Sequence, residues 1–416
     1  FDGQYIVLGN DGGTFYVQTD FQAPRSRIIA VDAERPEPAA WREIVPQSAN
    51  RDVIAGASLH GNQVAVTWKI DALNRVKLYD LKTGALKREI KRETLGSQSG
   101  LAGKRGDREA YFTFTSYNQP PTIYRYDLKS GKEQVFRAPK VDIKPEAYEV
   151  KQVFYASKDG TKVPLFIAHK KGLKLDGTNP TLLYGYGGFN SPLSPGYSPV
   201  TQVWMEMGGV YAVACIRGGS EYGKDWWEQG KREKKQNVFD DFIAAGEHLI
   251  AQKYTQPAKL AIQGASNGGL LVGACLTQRP DLFGAALPAV GVLDMLRYHK
   301  FTIGWAWQSD YMCSDTKEGF ENLIKYSPLH TIKPGTKYPA TLVTTGDHDD
   351  RVVPAHSHKF TATLQAAQAG DAPILTRIET DAGHGAGKPT SKRIAENADI
   401  YGFLFKTLGM KLPEGF

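Results

Sequence analysis

One pentapeptide, Gly264-Ala265-Ser266-Asn267-Gly268, constrains the fold of this chain more than any other segment. The apolar residues 259–263 before it predict a strand, and the small apolar residues 269–276 after it predict a helix. A serine at such a sharp strand-to-helix turn is held on a strained backbone, and the flanking glycines permit the tight turn. The segment therefore predicts an α/β sheet that exposes Ser266 at the end of a strand.

Strands and helices alternate through the second part of the chain. A hairpin is predicted around Lys158-Asp159-Gly160. The strands predicted after it are residues 181–184, 210–216, 260–263, 284–290, 340–345 and 375–379, with helices that include 237–253 and 357–369. Such alternation predicts a mostly parallel, doubly wound sheet with helices on both faces. We therefore assign residues 144–416 to one α/β domain.

The first part of the chain is repetitive. Asp32, Asp80 and Asp127 each close an alternating strand, and they lie 48 and 47 residues apart. The last two lead into the same turn, Asp-Leu-Lys-Thr/Ser-Gly. This period is typical of four-stranded propeller blades. Residues 1–143 are therefore predicted to form about three blades of an all-β propeller.

Three blades are too few to close a ring, because propellers typically have about four to eight. An open set of blades leaves sheet edges exposed. The chain also begins at Phe1 instead of Met and shows no signal-like segment. We therefore expect it to be the C-terminal part of a longer protein, with a complementary N-terminal fragment as its partner.

The composition argues against several classes of protein. With 41% hydrophobic and 23% charged residues, the chain is typical of a globular protein. No run approaches the ~18 apolar residues of a membrane span. The basic stretches 87–92 and 231–235 lack interleaved aromatics, so we predict solvated surface and no nucleic-acid partner. Three scattered cysteines and the absence of CxxC and HExxH motifs predict neither disulfides, nor a metal site, nor a cofactor.

A serine hydroxyl becomes a nucleophile when a histidine takes its proton and a carboxylate orients that histidine. In α/β hydrolases these groups follow the order serine, acid, histidine along the chain. His384 lies in a glycine-rich turn after the last predicted strand, where this order requires it. Asp347, Asp349 and Asp350 share the loop after the preceding strand, and spacing does not choose among them.

Acyl transfer also requires hydrogen-bond donors for the oxyanion. We expect one to be the backbone N–H of Asn267, directly after the nucleophile. The second is expected from residues 184–190, where the glycines allow backbone or a tyrosine hydroxyl to approach a substrate.

Five segments of the chain together resemble the prolyl oligopeptidase family: residues 184–190, 217–223, 264–269, 347–354 and 382–389. Members of this family couple an α/β-hydrolase domain to a seven-bladed propeller that covers the active site and admits only short peptides. The resemblance extends over essentially the whole chain. It implies a serine endopeptidase that cleaves short peptides on the carboxyl side of proline, through an acyl-enzyme.

The resemblance also implies a role for each site residue. Ser266 corresponds to the nucleophile, His384 to the base and Asp349 to the acid. Tyr186 and Asn267 correspond to the oxyanion donors. The residues implied for substrate binding are Trp307, Arg351, Phe189, Val292, Tyr311 and Val352. Aromatic stacking suits proline, whose ring is flat and apolar.

Two competing functions stay open at this point. A related propeller peptidase could cleave after basic residues or remove acylaminoacyl or dipeptidyl units, although a basic specificity calls for carboxylates in the pocket. A truncated chain could also be an inactive scaffold. The few cysteines favour a cytoplasmic location, with the periplasm as the alternative.

Overall fold

The computed structural model describes residues 2–385 and 387–414. The chain divides into two compact units. Unit 1 consists of Phe1–Glu146, Pro192–Ser198 and Ser220–Trp226, and unit 2 of Ala147–Ser191, Pro199–Gly219 and Trp227–Phe416. The units therefore interleave along the chain, because two short segments that follow Ala147 belong to unit 1.

Unit 1 contains three four-stranded antiparallel sheets, as predicted for three blades. The first is formed by β1 (Tyr5–Asp11), β2 (Thr14–Thr19), β3 (Arg27–Asp32) and β4 (Arg42–Val45). The second is formed by β5 (Val53–His60), β6 (Gln63–Ile70), β7 (Leu73–Asp80) and β8 (Leu86–Ile90). The third is formed by β9 (Ser97–Gln98), β10 (Glu109–Ser116), β11 (Gln119–Asp127) and β12 (Glu133–Arg137). In each sheet the strands lie side by side in chain order.

The repeated turn motif closes the second and third sheets in the same way. Asp80 Oδ1 accepts a hydrogen bond of 2.9 Å from the backbone N–H of Thr83, and Asp127 Oδ1 accepts one of 2.6 Å from Ser130. The glycine that ends each turn has a φ of +72° or +74°, a conformation that glycine adopts without strain. The motif therefore encodes the turn between the third and fourth strands of a blade.

Neighbouring sheets of unit 1 pack through buried apolar side chains. Ile28 of the first sheet and Val66 of the second share one core cluster. Val76 of the second sheet and Phe112 of the third share another, in which Phe112 stacks on Tyr124 with ring centroids 5.2 Å apart. The alternation of apolar residues along β6 and β10 supplies two of these faces.

Unit 2 contains an eight-stranded sheet. Its strands are β13 (Tyr148–Ala156), β14 (Lys162–Lys170), β15 (Thr181–Tyr184), β16 (Val210–Ala214), β17 (Leu260–Ala265), β18 (Ala285–Ala289), β19 (Ala340–Gly346) and β20 (Ile374–Glu379). They lie in the order β13-β14-β16-β15-β17-β18-β19-β20. The pairs β13/β14 and β14/β16 are antiparallel and the others are parallel. The prediction of a mostly parallel α/β-hydrolase sheet is confirmed.

The α-helices of the described chain connect and cover these strands. They are α1 (Pro199–Glu206), α2 (Lys224–Glu228), α3 (Gln236–Ala251), α4 (Asn267–Gln278), α5 (Gln308–Tyr311), α6 (Lys317–Leu323), α7 (Pro328–Thr331), α8 (Ala355–Ala367) and α9 (Thr390–Thr407). Trp204 of α1 and Leu404 of α9 share a core cluster with Leu182 and Leu342 of the sheet. Within residues 2–385 and 387–414, none of the helices combines the length and apolar character needed to cross a membrane.

Replacement of Phe112 tests the packing between the second and third sheets. Phe112→Ala is expected to lower the free energy of unfolding by about 3–5 kcal/mol, because it leaves a cavity in a buried cluster. Phe136 on β12 is 58% exposed, and Phe136→Ala should cost less than about 1 kcal/mol. Urea denaturation of the two variants measures both losses. Equal losses would contradict the packing described here.

Candidate active site

Ser266 lies at the turn between β17 and α4 with φ +60° and ψ −117°. This region is disfavoured for a residue that carries a Cβ, at a cost of about 1–3 kcal/mol. The Ser266 N–H donates to the carbonyl of Ala289 (2.9 Å), and its own carbonyl accepts from the N–H of Leu270 (3.1 Å). Neighbouring strand and helix therefore hold the serine in a strained conformation, as expected for a nucleophile elbow.

The turn closes tightly because Gly264 and Gly268 have no side chains. A Cβ on Gly264 would lie 2.3 Å from the carbonyl oxygen of Gly268, and a Cβ on Gly268 would lie 2.8 Å from that of Gly185. Cβ atoms do not approach backbone oxygens so closely. The spacing of the pentapeptide therefore reflects the close packing of β17, α4 and the loop after β15.

His384 and Asp349 lie in the loops that follow β20 and β19. The imidazole Nδ1 donates a hydrogen bond of 2.7 Å to Asp349 Oδ2. Asp349 is 3% exposed, and its Oδ1 accepts the backbone N–H groups of Arg351 (3.0 Å) and Val352 (2.9 Å). The carboxylate fixes the proton on Nδ1, so Nε2 is free to accept another. Ala386, two residues after His384 in the sequence, lies outside the described residues.

The three aspartates of the loop after β19 have different surroundings. Asp347 accepts hydrogen bonds from His348 Nδ1 (2.7 Å) and from the N–H of Ala382 (3.2 Å). The bond from His348 lowers the pKa of Asp347 to about 2. Asp350 is exposed. Among the contacts described, Asp349 is the carboxylate that meets the imidazole of His384.

Ser266 opens onto a pocket with a volume of about 370 Å³. The pocket is lined by Tyr186, Phe189, Ser266, Val292, Ile303, Trp307, Tyr311 and Arg351. All of these except Ile303 were singled out from the sequence. Ile303 was missed because no motif surrounds it. Val352 and Asn267 are buried and are not part of this lining.

The walls of the pocket are aromatic and aliphatic. The Trp307 indole stacks on Tyr298 with ring centroids 6.3 Å apart and planes within 9°. Tyr311 meets Phe189 edge to face at 5.4 Å. The guanidinium of Arg351 is the charged group of the described lining, which contains no carboxylate. Such a pocket suits an apolar ring with a carbonyl group nearby.

Tyr186 lies in the loop after β15, and Asn267 begins α4 directly after Ser266. Burial raises the pKa of the Tyr186 phenol above its usual value of 10, so the hydroxyl is protonated at neutral pH and can donate a hydrogen bond. The Asn267 side chain is buried, and its Nδ2 donates to the backbone carbonyl of Tyr186 at 2.5 Å. This bond ties the start of α4 to the loop after β15.

A buried lysine next to these residues was missed from the sequence. Residues 231–235 were predicted to be solvated surface, which is wrong for Lys235, because its exposed fraction is 1%. Its Nζ donates to the carbonyl of Gly187 (2.8 Å) and to Asn267 Oδ1 (3.1 Å). The adjacent Lys234 is exposed. Nothing in the sequence of residues 231–235 indicates that Lys235 is buried while Lys234 is exposed.

Asp310 was also missed. It is buried, and its Oδ1 accepts the backbone N–H of Phe189 (2.9 Å) and the indole N–H of Trp227 (3.2 Å). The carboxylate therefore fixes the backbone of a residue that lines the pocket.

One group in the described part of the chain has the donor atoms for a metal ion. His299, Cys313 and Asp315 offer atoms that lie within 4.8 Å of one another. Asp315 Oδ1 is 3.1 Å from His299 Nε2, and Oδ2 is 2.8 Å from Lys300 Nζ. Because a lysine already pairs with this carboxylate, these contacts are explained as an ion-pair cluster, and we assign no metal to it.

Comparison with known proteins matches both parts of the chain to one family. Residues 1–139 match the model of the prolyl oligopeptidase N-terminal beta-propeller domain, and residues 195–411 match that of the prolyl oligopeptidase family. Prolyl endopeptidases of Elizabethkingia miricola and Elizabethkingia meningoseptica are each 50% identical over 412 residues, which is 99% of this chain and 58% of theirs.

Solved structures of related enzymes superimpose on the chain. One from a study of two prolyl endopeptidases is 46% identical with a TM-score of 0.94, and covers 98% of this chain and 60% of its own. Oligopeptidase B from Leishmania major is 26% identical with a TM-score of 0.89, and covers 98% and 58%.

The chain therefore spans about 58% of the length of the curated relatives it matches. Residues 1–139 match a propeller-domain model, and the comparisons lend no support of their own to the expectation of a truncated chain. They also give no support to a separate complementary fragment, because each relative holds its matched regions in a single chain. The two family models and the similarity over 99% of its length establish that the chain belongs to the prolyl oligopeptidase family.

Proposed function

We propose that this chain carries the catalytic machinery of a serine endopeptidase that cleaves short peptides on the carboxyl side of proline. The main observation behind the proposal is that Ser266, which has a strained backbone, lines the same pocket as Trp307 and Arg351. The hydrogen bond between His384 and Asp349 supports it, as does the 50% identity to proteins named prolyl endopeptidase.

In the proposed reaction, Ser266 Oγ attacks the carbonyl carbon of the scissile bond while His384 Nε2 takes the hydroxyl proton. Asp349 stabilises the imidazolium that forms. The oxyanion accepts hydrogen bonds from the backbone N–H of Asn267 and the hydroxyl of Tyr186. The C–N bond then breaks as the imidazolium protonates the leaving amine, and water hydrolyses the acyl-enzyme by the same steps.

The proposed specificity follows from the chemistry of proline. Its ring is apolar and its nitrogen carries no hydrogen, so a pocket selects it by shape and by aromatic stacking. We propose that the ring stacks on the Trp307 indole. Phe189, Val292 and Tyr311 would complete the apolar surroundings, and the buried Val352 would support them from outside the lining. The Arg351 guanidinium would donate to a substrate backbone carbonyl.

The main competing function is that of a related peptidase with a different specificity. The chain is also similar to oligopeptidase B, and this similarity is the observation that favours the alternative. A pocket for a basic side chain needs carboxylates, and none is present among the described lining residues. A peptidase that releases acylaminoacyl or dipeptidyl units and an inactive scaffold are two further candidates. For an inactive scaffold there would be no reason to keep a strained backbone at Ser266.

We further propose that residues 1–143 act as the propeller part and 144–416 as the catalytic part. Free cysteines at positions 215, 275 and 313 are compatible with a reducing compartment. The cytoplasm is therefore the proposed location, with the periplasm as the alternative.

Asparagine substitutions of two aspartates in one loop test the choice of acid. Asp349→Asn is expected to lower kcat by about 10³–10⁴-fold, because an amide opposite Nδ1 favours the wrong imidazole tautomer. Asp347→Asn, two residues away, removes a carboxylate that faces His348 and should cost less than about tenfold. Steady-state kinetics of both variants give the ratio. Similar losses would show that Asp349 has no special role.

Alanine substitutions of two tryptophans test the pocket. Trp307→Ala is expected to lower kcat/KM for a chromogenic peptide with proline before the scissile bond by about 10–200-fold, because the ring loses its stacking partner. Trp305 is 62% exposed and does not line the pocket, so Trp305→Ala should leave kcat/KM nearly unchanged. A preference of the parent protein for arginine over proline substrates would support an activity like that of oligopeptidase B instead.

A further inference from the structure

We propose that Lys235 is a positioning residue for the oxyanion site, where it joins the two segments that supply the oxyanion donors. The inference rests on the proposed function and extends it. Lys235 does not line the pocket and has no place in the reaction steps given above.

The position of Lys235 lets one ammonium group contact both segments. The residue precedes α3 and is 1% exposed. Its Nζ donates to the Gly187 carbonyl in the loop after β15 (2.8 Å) and to Oδ1 of Asn267 at the start of α4 (3.1 Å). The first segment carries Tyr186, and the second carries the backbone N–H of Asn267.

The Asn267 side chain completes the link between the segments. Its Nδ2 donates to the Tyr186 carbonyl (2.5 Å), and its Oδ1 also accepts the hydroxyl of Tyr311 (2.8 Å). A Cβ on Gly188 would lie 2.6 Å from this Nδ2, so the loop packs directly on the amide. Because Lys235 bonds to both the amide and the loop, its loss should shift both donors.

The buried Lys235 side chain carries a positive charge at neutral pH. Burial lowers its pKa to about 8 while the Asp310 carboxylate acts in the opposite direction, so most molecules carry the proton at pH 7. A buried ion is costly, and an apolar side chain of similar size often gives equal or better stability. Two neighbours offset part of this cost here: the Tyr311 ring, whose centroid lies 5.3 Å from Nζ, and the buried Asp310 carboxylate. The two groups that accept its hydrogen bonds, an amide oxygen and a backbone carbonyl, are neutral, so the ammonium group holds them as a hydrogen-bond donor and not as one partner of an ion pair.

Negative charge develops on the substrate oxygen only as the tetrahedral intermediate forms. A residue that positions the oxyanion donors should therefore affect the transition state more than the binding of the substrate. A residue with only a structural role would weaken both. This difference separates the two roles experimentally.

The test compares Lys235→Met with Lys234→Met, its exposed neighbour. Lys235→Met is expected to lower kcat by about 10–100-fold with KM changed less than about threefold, since an indirect contribution is smaller than the loss of one oxyanion donor. The Ki of a peptidyl-prolinal, which forms a tetrahedral adduct with serine, should rise by the same factor as kcat falls. The Ki of the matching peptidyl-pyrrolidine, which has no reactive carbonyl, should change less than about threefold. Lys234→Met should match the parent protein in all four quantities.

A second variant covers the case in which Lys235→Met fails to fold. Lys235→Gln keeps a neutral hydrogen-bond donor, and we expect the same pattern with a smaller loss of kcat. Equal losses in kcat and in affinity for the pyrrolidine compound, or no loss at all, would overturn the proposal.

The rate of reaction with a fluorophosphonate separates this inference from the proposed specificity. The reagent places a phosphoryl oxygen near the oxyanion donors without any need for proline recognition. If the parent protein reacts with the fluorophosphonate but does not cleave proline substrates, the proposed specificity is wrong. A 10–100-fold slower reaction of Lys235→Met would still support the positioning role of Lys235 in that case. An equal rate in the two proteins would refute it. A parent protein that does not react at all would overturn both proposals.

Discussion

The strained backbone of Ser266 is the constraint on which the rest of the site depends. A φ of +60° and a ψ of −117° at a serine persist only where the surrounding structure imposes them. Here β17, α4 and the loop after β15 pack so closely that there is no space for a Cβ atom at positions 264 and 268, which are both glycine. The strain and the close approach therefore have one cause, which is the meeting of three backbone segments at the end of a central strand.

Charged and polar groups then fix the orientations that packing leaves free. The backbone N–H groups of Arg351 and Val352 hold the carboxylate of Asp349, which in turn holds the imidazole of His384. Hydrogen bonds from Lys235 and Asn267 hold the loop that carries Tyr186. These hydrogen bonds are buried or partly buried, and the lower dielectric constant away from bulk water strengthens them.

Much of the fold could be predicted from the sequence because its signals are local. The strand predicted over residues 181–184 has those bounds in the structure, and β19 and β20 differ from their predictions by one residue at one end. The Asp-Leu-Lys-Thr/Ser-Gly turns could also be predicted. In these turns the aspartate accepts a hydrogen bond from the backbone N–H three residues later, so no residue distant in the sequence is needed. Periodicity and turn chemistry carry such information directly.

Less of the candidate site could be predicted from the sequence, because its contacts join residues that are far apart along the chain. The order along the chain indicated Ser266 and His384, but the residues alone did not choose among three aspartates, and the choice of Asp349 came from the family resemblance. Which carboxylate faces an imidazole 35 residues away depends on how the loop after β19 folds. Lys235 was missed for the same reason, since a run of basic residues gives no indication that its last member is buried.

Proteolytic digestion and mass spectrometry of the protein after reaction with a fluorophosphonate locate the covalent adduct and so identify the nucleophile. We expect a single adduct, on the peptide that contains Ser266, and none in the Ser266→Ala variant. An adduct on another serine, or one that persists in the Ser266→Ala variant, would contradict the assignment of the strained turn as the nucleophile.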